Sequence, residues 1–508
     1  MSVKERFVRR LREDHWFRLF LALIGAVCLG LSFPTWSLVL LVVPGLGFVY
    51  LAVTRANTWE SFRHGFAFGS VFFLVHAYWF YSFHPVALVG VMLIAGLWYG
   101  GWGAITRWWG ASPWTATVSW IVLEWGMGQG YLAFPWSRVS TVLSFHPLFV
   151  QPVRWVGELI WGGLFVLGSV LLAECIVRND KKRRCYTALG GTVVVLLALF
   201  VSGATYENNQ RLETFEGTVG LFQPNVASRR TLRRTGPSQL EVLYRQTVNN
   251  RDRLDIVVWP ETSVSGRAFS IDNDALVWNS AHWKQYFRDL LNGKIPLVTG
   301  AVVYDRRPGA LDKLNGVVQL DSRARPGGFY TKRYPVPGGE HLPYMGQLDW
   351  VHKLGKSFGT LGFRPGRSGC IVNLRLGDRT IPTAVQICYE DIFSGYVRNQ
   401  VHEGADLLLN VSNDSWSRSE SAHWQHFYRA RLRAIETGRT VLRNGNTGVT
   451  AIIDPLGYSH KLLSPYTRGV AKGSIYKPLK VPFYGQWGDW ITLLFLVLLV
   501  GFRYIYPV

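Results

Sequence analysis

Long apolar runs constrain this chain more than any other feature of its sequence. A helix needs about 20 mostly apolar residues to cross a bilayer. Seven such runs precede a stretch of ordinary globular composition, and an eighth follows it. The pattern predicts membrane-spanning helices at roughly residues 16–33, 36–54, 65–82, 85–105, 114–132, 154–175, 187–205 and 489–507. The predicted domains are 1–206 with helices 1 to 7, 207–488 as a globular domain, and 489–508 with helix 8 and the C-terminus.

Positive charges in short loops predict how these helices are oriented. With the N-terminus placed in the cytoplasm, the short segments on the opposite side carry only Arg138 and Arg154. The cytoplasmic segments carry fourteen basic residues: Lys4, Arg6, Arg9, Arg10, Arg12, Arg18, Arg55, Arg63, Arg107, Arg178, Lys181, Lys182, Arg183 and Arg184. No small-residue cleavage site follows the first run, so we interpret it as a retained signal-anchor. Both termini are therefore predicted to be cytoplasmic, with residues 207–488 across the membrane.

The chain has few charged residues, but its net charge is strongly positive. Charged residues make up 17% of the chain, below the roughly 25% usual for soluble domains, and the net charge is +21. Such a charge is also typical of nucleic-acid-binding proteins, but the sequence has no zinc-finger spacing, RNP-like motif or basic recognition helix. A basic domain that faces anionic lipid headgroups explains the charge more simply. We therefore predict a membrane partner and no nucleic acid.

The five cysteines do not form a recognisable metal or redox motif. No two of them stand in a C-x-x-C pair, and no nucleotide motif is present, so we expect no metal and no other cofactor. A disulfide between Cys370 and Cys388 is an alternative in an oxidising compartment. The full set is Cys28, Cys175, Cys185, Cys370 and Cys388.

Strand-like and helix-like runs alternate in the globular domain, which predicts an α/β layered fold. Runs that are apolar on both faces, such as 256–258 and 407–409, are typical of a sheet buried on both sides. The predicted strands are 218–222, 255–259, 296–303, 316–320, 382–387, 406–411, 440–443 and 448–453. The predicted helices are near 239–251, 279–291, 393–403 and 421–437.

Three polar residues end strand-like runs of this domain: Glu261, Lys332 and Cys388. In α/β sheets, reactive groups gather at the carboxyl ends of strands. A carboxylate can take the proton of a thiol, and a cation favours the resulting thiolate. The same cation, with the backbone N–H of Tyr389, can stabilise an oxyanion. Taken singly, each has a simpler structural interpretation. Glu261 is then a loop carboxylate, Lys332 a solvated lysine and Cys388 a small buried side chain.

Together these segments resemble the nitrilase, or carbon–nitrogen hydrolase, superfamily, whose signature is Glu, Lys and Cys in that chain order. The matching motifs are Trp259-Pro260-Glu261-Thr262, Lys332-Arg333 and Ile387-Cys388-Tyr389-Glu390-Asp391. Seven spans before such a domain and one after it resemble, more narrowly, the apolipoprotein N-acyltransferase family. Further matching segments are 223–225, 336–343, 413–416, 424–427, 446–450, 124–125 and 134–136.

The resemblance implies a role for each matching residue. Glu261 would be the general base, Lys332 would stabilise the oxyanion, and Cys388 would be the nucleophile that becomes a thioester. Supporting or substrate-binding roles are implied for Glu340, Tyr389, Glu390 and Trp416. A loop carboxylate and simple packing are the structural alternatives for the first and last of these four.

Two positions depart from the family's pattern. Gly338 stands where the family usually has an aromatic residue before Gly-Glu, which bears on contacts with the acyl chain. Met127 stands where an Arg usually follows the pair Glu124-Trp125. A membrane carboxylate without a partner is costly, so the role of Glu124 is left open by the sequence.

The resemblance implies phospholipid-dependent N-acylation of the diacylglyceryl-cysteine at lipoprotein N-termini, the third step of bacterial lipoprotein maturation. An acyl group would pass in a ping-pong reaction from a phospholipid, typically phosphatidylethanolamine, to Cys388 and then to the diacylated lipoprotein. The implied fold is eight transmembrane helices plus an extracytoplasmic α-β-β-α sandwich. The implied setting is the bacterial inner membrane, and nothing in the sequence demands more than a monomer.

Two other functions fit parts of the sequence. A membrane-tethered amidase or nitrilase that hydrolyses a small amide would share Glu261, Lys332 and Cys388 but would not need seven preceding spans. A transporter or receptor with a catalytically dead domain would explain the spans. The complete set of three reactive residues argues against the second alternative.

Overall fold

The computed structural model describes residues 3–34, 36–178, 182–227, 238–306, 312–342, 348–358, 362–367, 369 and 371–505. Its contacts divide the chain into two units. The helical unit is Met1–Gln210, Ser417–Tyr428 and Pro482–Val508, and the α/β unit is Arg211–Trp416 and Arg429–Val481. Two of these boundaries lie within a few residues of the predicted ones. The grouping of Ser417–Tyr428 with the helical unit was not predicted.

The described residues form fifteen α-helices and thirteen β-strands. The helices are α1 Val3–Glu13, α2 His15–Ser32, α3 Val42–Thr54, α4 Thr58–His76, α5 Pro85–Trp108, α6 Pro113–Gly126, α7 Val153–Val177, α8 Lys182–Asn208, α9 Gln239–Val248, α10 Ala281–Leu291, α11 Asp349–Phe358, α12 Ser394–His402, α13 Glu420–Thr437, α14 Phe483–Trp487 and α15 Asp489–Ile505. The strands are β1 Val219–Gln223, β2 Ile256–Asp272, β3 Ala275–Trp278, β4 Leu297–Asp305, β5 Asp312–Leu320, β6 Pro326–Thr331, β7 Ile371–Leu376, β8 Arg379–Ile387, β9 Leu407–Ser412, β10 Thr440–Gly445, β11 Thr450–Ile453, β12 Ser459–Leu463 and β13 Gly469–Gly473.

Each of the eight predicted apolar runs overlaps a helix, but the helices differ in length. Among the described residues, four of them, α2, α5, α7 and α8, are long and apolar enough to cross a membrane. Helices α3, α6 and α15 have 13, 14 and 17 residues, which is less than the roughly 20 that a straight crossing needs. The helical unit is thus consistent with a membrane protein.

Helix α4 begins at Thr58, seven residues before the predicted run, because Asn57 caps it. The Asn57 side chain accepts a hydrogen bond from the backbone N–H of Glu60, which satisfies one of the donors left open at a helix N-terminus. The helix ends at His76, and Tyr78–Ser82 forms a 3₁₀ turn. The predicted run 65–82 therefore lies six to seven residues too far toward the C-terminus, compared with the observed helix Thr58–His76.

Glu124 is buried on α6, and its direct hydrogen-bond partners are not arginines. Its Oε1 accepts hydrogen bonds from Trp120 Nε1 at 3.0 Å and from the backbone N–H of Val139 at 2.9 Å. Arg138 instead forms an ion pair with Glu158. An indole and a backbone amide thus satisfy one oxygen of a carboxylate that would otherwise be costly to bury.

Gln425 explains why Ser417–Tyr428 groups with the helices. Its side-chain oxygen accepts hydrogen bonds from Trp79 Nε1 at 3.1 Å and Trp136 Nε1 at 2.7 Å. Its Nε2 donates to the backbone oxygen of Pro34 at 2.8 Å. One buried amide therefore joins three segments of the helical unit that are far apart in the sequence.

A Gln425→Met substitution is expected to destabilise the helical unit by about 2–4 kcal/mol. Methionine has a similar volume but leaves two buried indole N–H groups without an acceptor, at roughly 1–3 kcal/mol each. The free energy of unfolding, measured by denaturant titration in detergent, checks this value. Gln129→Met, at an exposed position of the same unit, is the matched control. Equal stabilities of the two variants would contradict the assignment.

The α/β unit is built from two sheets. The first has the order β13-β1-β2-β4-β5-β6, with β3 paired to β2, and the second has the order β12-β11-β10-β9-β8-β7. The central pairs β1–β2, β2–β4, β8–β9 and β9–β10 are parallel, and the outer pairs are antiparallel. Each half therefore combines a parallel centre with a meander at its edge.

The two sheets face each other and carry helices on their outer sides. Asn444 Nδ2 of β10 donates to the backbone oxygen of Val258 of β2 at 2.9 Å, which links the sheets. On the first sheet, Trp259 packs with Phe287 of α10 in one buried cluster. On the second, Gln400 of α12 accepts a hydrogen bond from Gln386 of β8. The predicted layered α/β arrangement is confirmed as helix, sheet, sheet and helix.

Candidate functional site

Lys332 and Cys388 directly follow strands, as predicted. Strand β6 ends at Thr331 and strand β8 ends at Ile387. The prediction that Glu261 ends its strand is wrong, because β2 continues to Asp272. The pairing of β2 with β4 is nevertheless interrupted between Trp259 and Val264, where Pro260 has no N–H for the ladder. Glu261 is thus freed from regular pairing by a local irregularity rather than by the strand's end.

Lys332 lies between two buried carboxylates. Its Nζ is 2.7 Å from Glu340 Oε2 and 3.8 Å from Glu261 Oε1, and its side chain is 1% exposed. Asn315 Nδ2 on β5 donates to Glu261 Oε1 at 2.6 Å and to Glu340 Oε1 at 2.9 Å. The amide thus holds both carboxylates at a fixed spacing around the ammonium group.

Backbone amides complete the surroundings of the two carboxylates. The N–H of Asn413 donates to Glu261 Oε2 at 2.7 Å, and the N–H of Val336 donates to Glu340 Oε2 at 2.7 Å. Each carboxylate therefore accepts a backbone bond on one oxygen and the Asn315 amide on the other. This leaves little freedom for either side chain to rotate.

The carboxylates keep Lys332 charged. Burial alone would lower the pKa of Lys332, but the negative charges of Glu340 and Glu261 outweigh it and raise that pKa above its ordinary range. A buried cation of this kind is permanently available at neutral pH. It can stabilise negative charge that develops beside it during a reaction.

Burial raises the pKa of Glu261, and the charge of Lys332 only partly offsets this effect. Burial also raises the pKa of the Cys388 thiol well above its ordinary range, the Glu261 charge raises it further, and Lys332 lowers it. Lys332 Nζ lies 3.8 Å from Glu261 Oε1 and 5.5 Å from the ring of Tyr389, the residue after Cys388, so the three groups belong to one site. The thiol is protonated at neutral pH and needs a base before it can attack.

Cys388 sits in a strained turn. Its φ is 55°, a left-handed conformation that side chains other than Gly and Asn rarely adopt. Asn410 Nδ2 of β9 donates to the backbone oxygen of Cys388 at 2.8 Å and holds the peptide in place. Strain of this kind, which costs on the order of 1–3 kcal/mol, is concentrated at functional sites. The turn sets the direction of the thiol at the end of β8.

Glu390 ties the backbone beside Lys332 to the backbone beside Cys388. Its Oε1 accepts hydrogen bonds from the N–H of Arg333 at 2.8 Å and from the hydroxyl of Tyr330 at 2.8 Å. Its Oε2 accepts from the N–H of Ile387 at 2.7 Å. Burial raises the pKa of Glu390 to about 7. One carboxylate therefore sets the spacing of the two strand ends that carry the cation and the thiol.

The two predicted aromatic residues are placed differently. The Tyr389 ring lies 5.5 Å from Lys332 Nζ, and its hydroxyl donates to the backbone oxygen of Pro335 at 3.2 Å. Trp416 is half-buried at the end of the 3₁₀ turn Asp414–Trp416. Tyr389 thus borders the cation, while the role of Trp416 in lining the site stays a prediction.

Sequence reasoning missed a buried arginine behind the Cys388 turn. Arg443 of β10 is fully buried, and its Nη1 donates to Asn410 Oδ1 at 2.7 Å and to Asp391 Oδ2 at 3.3 Å. Its Nη2 donates to Asp414 Oδ2 at 3.3 Å. Arg443 therefore fixes the asparagine that holds the Cys388 peptide. A charged residue that directly follows Val441 and Leu442 in a strand-like run is the signal that the sequence offers for it.

Some predictions cannot be compared with the structure. Cys370, Lys181 and Pro343 lie outside the described residues, so the alternative of a Cys370–Cys388 disulfide is not tested. Among the residues that are described, no group of three or more His, Cys, Asp or Glu side chains is placed to hold a metal ion.

The arrangement supplies the parts of covalent acyl transfer. A protonated thiol, a carboxylate with a raised pKa and a permanent cation can act as nucleophile, base and oxyanion stabiliser. The acceptor of such a reaction can be water or an amine. The geometry of Cys388, Glu261 and Lys332 alone does not choose between them.

Comparison with known proteins bears on both units. Residues 218–477 match a family model described as Carbon-nitrogen hydrolase, and residues 25–171 match one described as Apolipoprotein N-acyltransferase N-terminal domain. An apolipoprotein N-acyltransferase of Sinorhizobium medicae is 30% identical over 81% of this chain and 78% of that protein. One from Methylococcus capsulatus is 27% identical over 93% of each chain. A solved amidase of Nesterenkonia sp. is 15% identical, with a TM-score of 0.36, over 56% of this chain and 98% of that chain.

Proposed function

Because this chain belongs to the apolipoprotein N-acyltransferase family of carbon–nitrogen hydrolases, we propose that it acylates the N-termini of lipoproteins. The acceptor is the α-amine of a diacylglyceryl-cysteine, and the donor is a membrane phospholipid such as phosphatidylethanolamine. The acyl group passes through a thioester on Cys388 in a ping-pong reaction. The α/β unit, which has a nitrilase-like fold, carries the chemistry.

One observation carries the proposal: a buried lysine stands between two carboxylates in the same site as a strained cysteine. Lys332 is paired with Glu340 at 2.7 Å and lies 3.8 Å from Glu261, and Cys388 has a φ of 55°. A purely structural ion pair does not require a thiol in a strained turn beside it. This combination favours nucleophilic catalysis.

The first half-reaction forms the acyl-enzyme. Glu261 takes the thiol proton, and the Cys388 sulfur attacks an ester carbonyl of the phospholipid. Lys332, with the backbone N–H of Tyr389, stabilises the oxyanion of the tetrahedral intermediate. When the intermediate collapses, the ester C–O bond breaks and Glu261 returns its proton to the leaving oxygen. A lysophospholipid leaves, and the acyl group remains as a thioester.

The second half-reaction transfers the acyl group to an amine. The α-amine of the acceptor attacks the thioester carbonyl, and Glu261 takes a proton from the attacking nitrogen. The C–S bond breaks as the amide forms, and Glu261 protonates the departing sulfur. Cys388 is thereby regenerated as a thiol. Water must be excluded between the two steps, because hydrolysis of the thioester would waste the donor.

The supporting residues keep this geometry. Glu340 keeps Lys332 charged and in place, and Glu390 sets the spacing of the two strand ends. Tyr389 borders the oxyanion region, and Trp416 contributes to the substrate-binding surface. Asn315 spaces the two carboxylates.

We place the enzyme in the bacterial inner membrane as a monomer. The proposed topology has eight membrane-crossing segments, with both termini in the cytoplasm and the α/β unit on the periplasmic side. The asymmetry of basic residues in the short loops supports this orientation. Both substrates are anchored in lipid, which gives the helical unit a function in bringing them to the site.

The competing function is hydrolysis of a small amide by a membrane-tethered enzyme. It uses the same thiol, base and cation, so the fate of the acyl group must decide. The purified protein is incubated with phosphatidylethanolamine carrying a labelled acyl chain, with and without a diacylated lipopeptide that has a free N-terminal amine. We expect N-acylated lipopeptide as the main labelled product. Labelled free fatty acid at the same rate with or without lipopeptide would refute the transfer.

The rate of acyl-enzyme formation is expected to fall in acid at a higher pH than an ordinary glutamate would predict. Glu261 must be ionised to take the thiol proton, and burial raises its pKa above the usual value of about 4.3. Protonation on lowering the pH therefore removes the base early. Single-turnover measurements from pH 4 to 8, with Glu390→Gln to separate the second raised carboxyl, check this. A constant rate down to about pH 4.3 would contradict it.

A further inference from the structure

A cavity of about 380 Å³ lies in the helical unit and contains none of the catalytic residues. It is formed by the start of α2 and the first half of α4. Its walls are of two kinds, one polar and one apolar. The polar lining is His15, Arg63 and His64, and the apolar lining includes Leu19, Phe62 and Phe66.

The hydrogen bonds of the two histidines leave one ring nitrogen available. His64 Nδ1 lies 3.1 Å from the backbone oxygen of Ala52, and a carbonyl can only accept, so this nitrogen carries a proton. In a neutral ring His64 Nε2 is then an acceptor, and it lies 3.3 Å from His15 Nδ1, which must donate. Among the described residues, His15 Nε2 has no hydrogen-bond partner. In the neutral ring this nitrogen is an available acceptor.

Arg63 is an available cation in the same cavity. Within the described part of the chain, its guanidinium makes no hydrogen bond or ion pair, and the residue is exposed. The neighbouring Arg18 is in contrast engaged by other groups. It forms an ion pair with Glu60 at 2.9 Å and donates to the backbone oxygens of Leu11 and Arg12. The Glu60 carboxylate is thus already neutralised.

The apolar wall is fixed by close helix packing. A Cβ on Gly100 of α5 would lie 2.9 Å from the Phe62 ring, and one on Gly96 would lie 2.8 Å from the Phe66 ring. Only glycine allows the rings to lie this close to α5. Trp59 stacks on Phe62 with ring centres 5.5 Å apart and extends the aromatic surface outward. The wall is therefore a rigid aromatic strip beside the two available polar groups.

We propose that this cavity binds the phosphate group of a phospholipid, with an acyl chain lying along the aromatic strip. Arg63 pairs with the phosphodiester oxygens, and His15 Nε2 accepts a hydrogen bond from a donor of the headgroup, such as a hydroxyl. Charge-assisted contacts of this type are roughly twice as strong as neutral hydrogen bonds. The lipid is a bound ligand and not the acyl donor, so the site goes beyond the proposed function and does not depend on it. The chemistry fits an amphiphilic anion better than a free ion, because the apolar residues Leu19, Phe62, Phe66 and Ala67 also line the cavity.

Native mass spectrometry of the full chain tests this proposal. The Cys388→Ala variant is used as the background, so that no lipid is consumed and the outcome is independent of catalysis. Phosphatidylglycerol is titrated against this protein, against the same protein with Arg63→Gln, and against a control with Arg6→Gln. Arg6 is an exposed cation of the same unit that does not line the cavity. We expect Arg63→Gln to weaken binding about tenfold, since loss of a hydrogen bond to a charged group costs about 1.4 kcal/mol or more.

Three comparisons decide the ligand. Binding of diacylglycerol, which lacks the phosphate, should be unaffected by Arg63→Gln, and inorganic phosphate should compete only weakly with phosphatidylglycerol. Displacement of the lipid by inorganic phosphate at equal concentration would show that the site takes a free ion and would overturn the lipid assignment. If Arg6→Gln weakens binding equally, the effect comes from general surface charge and the assignment of the cavity as the binding site is wrong. Unchanged melting temperatures of the variants exclude loss of folding as the cause.

Discussion

A Lys332→Met variant is expected to lose acyl-enzyme formation by a factor of about 10²–10³. Removing one preorganised group that stabilises an oxyanion typically costs this much in rate. The loss has a second source, because the Lys332 charge opposes the rise in the Cys388 pKa. Single-turnover accumulation of acylated protein, followed by intact mass, measures the effect. A wild-type rate in this variant would remove Lys332 from the mechanism.

The same substitution is expected to destabilise the α/β unit by about 3–5 kcal/mol. It leaves Glu340 and Glu261 buried without their cation, which is the costly way to break a buried ion pair. Lys480→Met, at an exposed position of the same unit, is the matched control and should change stability by less than about 0.5 kcal/mol. The rate of acylation is measured at a temperature at which the variant is still folded. The catalytic loss is thereby separated from the loss of stability.

An Arg443→Met variant is expected to destabilise the α/β unit by a similar amount, about 3–5 kcal/mol. Arg443 is fully buried and forms ion pairs with Asp391 and Asp414, so its loss removes a cationic partner from each of two buried carboxylates. It also releases Asn410, which holds the Cys388 peptide. We therefore expect slower acylation even in the fraction that folds.

Two variants test whether the geometry of Arg443 matters and not only its charge. Arg443→Lys keeps the charge but cannot reach three acceptors with a planar fork, so it should recover only part of the stability. Arg375→Met, on an exposed face of β7, removes the same type of side chain without buried partners and should be nearly neutral. Full recovery by lysine would contradict the role assigned to the fork.

The central strands of the α/β unit could be predicted because both of their faces are buried. The apolar runs at 256–258 and 407–409 lie in β2 and β9 and are fully buried. The edge strands could not be predicted in the same way. Strand β13, Gly469–Gly473, is short and contains two glycines and a lysine, which have low strand preference. Its pairing with β1 comes from tertiary contact and leaves no periodic pattern.

Motifs in the sequence point to the proposed reactive residues, but they do not point to the groups that hold those residues. Asn315 is 54 residues from Glu261 in the chain and contacts it through strand pairing across the sheet. Arg443 is 33 residues from Asn410. Such long-range contacts leave no signature in the local spacing of residues along the sequence. A single polar residue inside a buried strand is the available signal, since such groups must find partners.

Helix α13 shows the limit of periodic patterns. The predicted helix 421–437 agrees with the observed Glu420–Thr437. The pattern does not reveal that the helix begins in the helical unit and continues in the α/β unit. That division depends on the bonds of Gln425 to Trp79 and Trp136, which are distant in sequence.

The most direct test of the central claim is the intact mass of the purified protein after incubation with phosphatidylethanolamine, beside a Cys388→Ala control. We expect a fatty-acyl mass increment on the wild type alone. We also expect the increment to disappear when a diacylated lipopeptide amine is added. No increment, together with turnover of small amides, would contradict the proposed transfer and favour a membrane-tethered amidase.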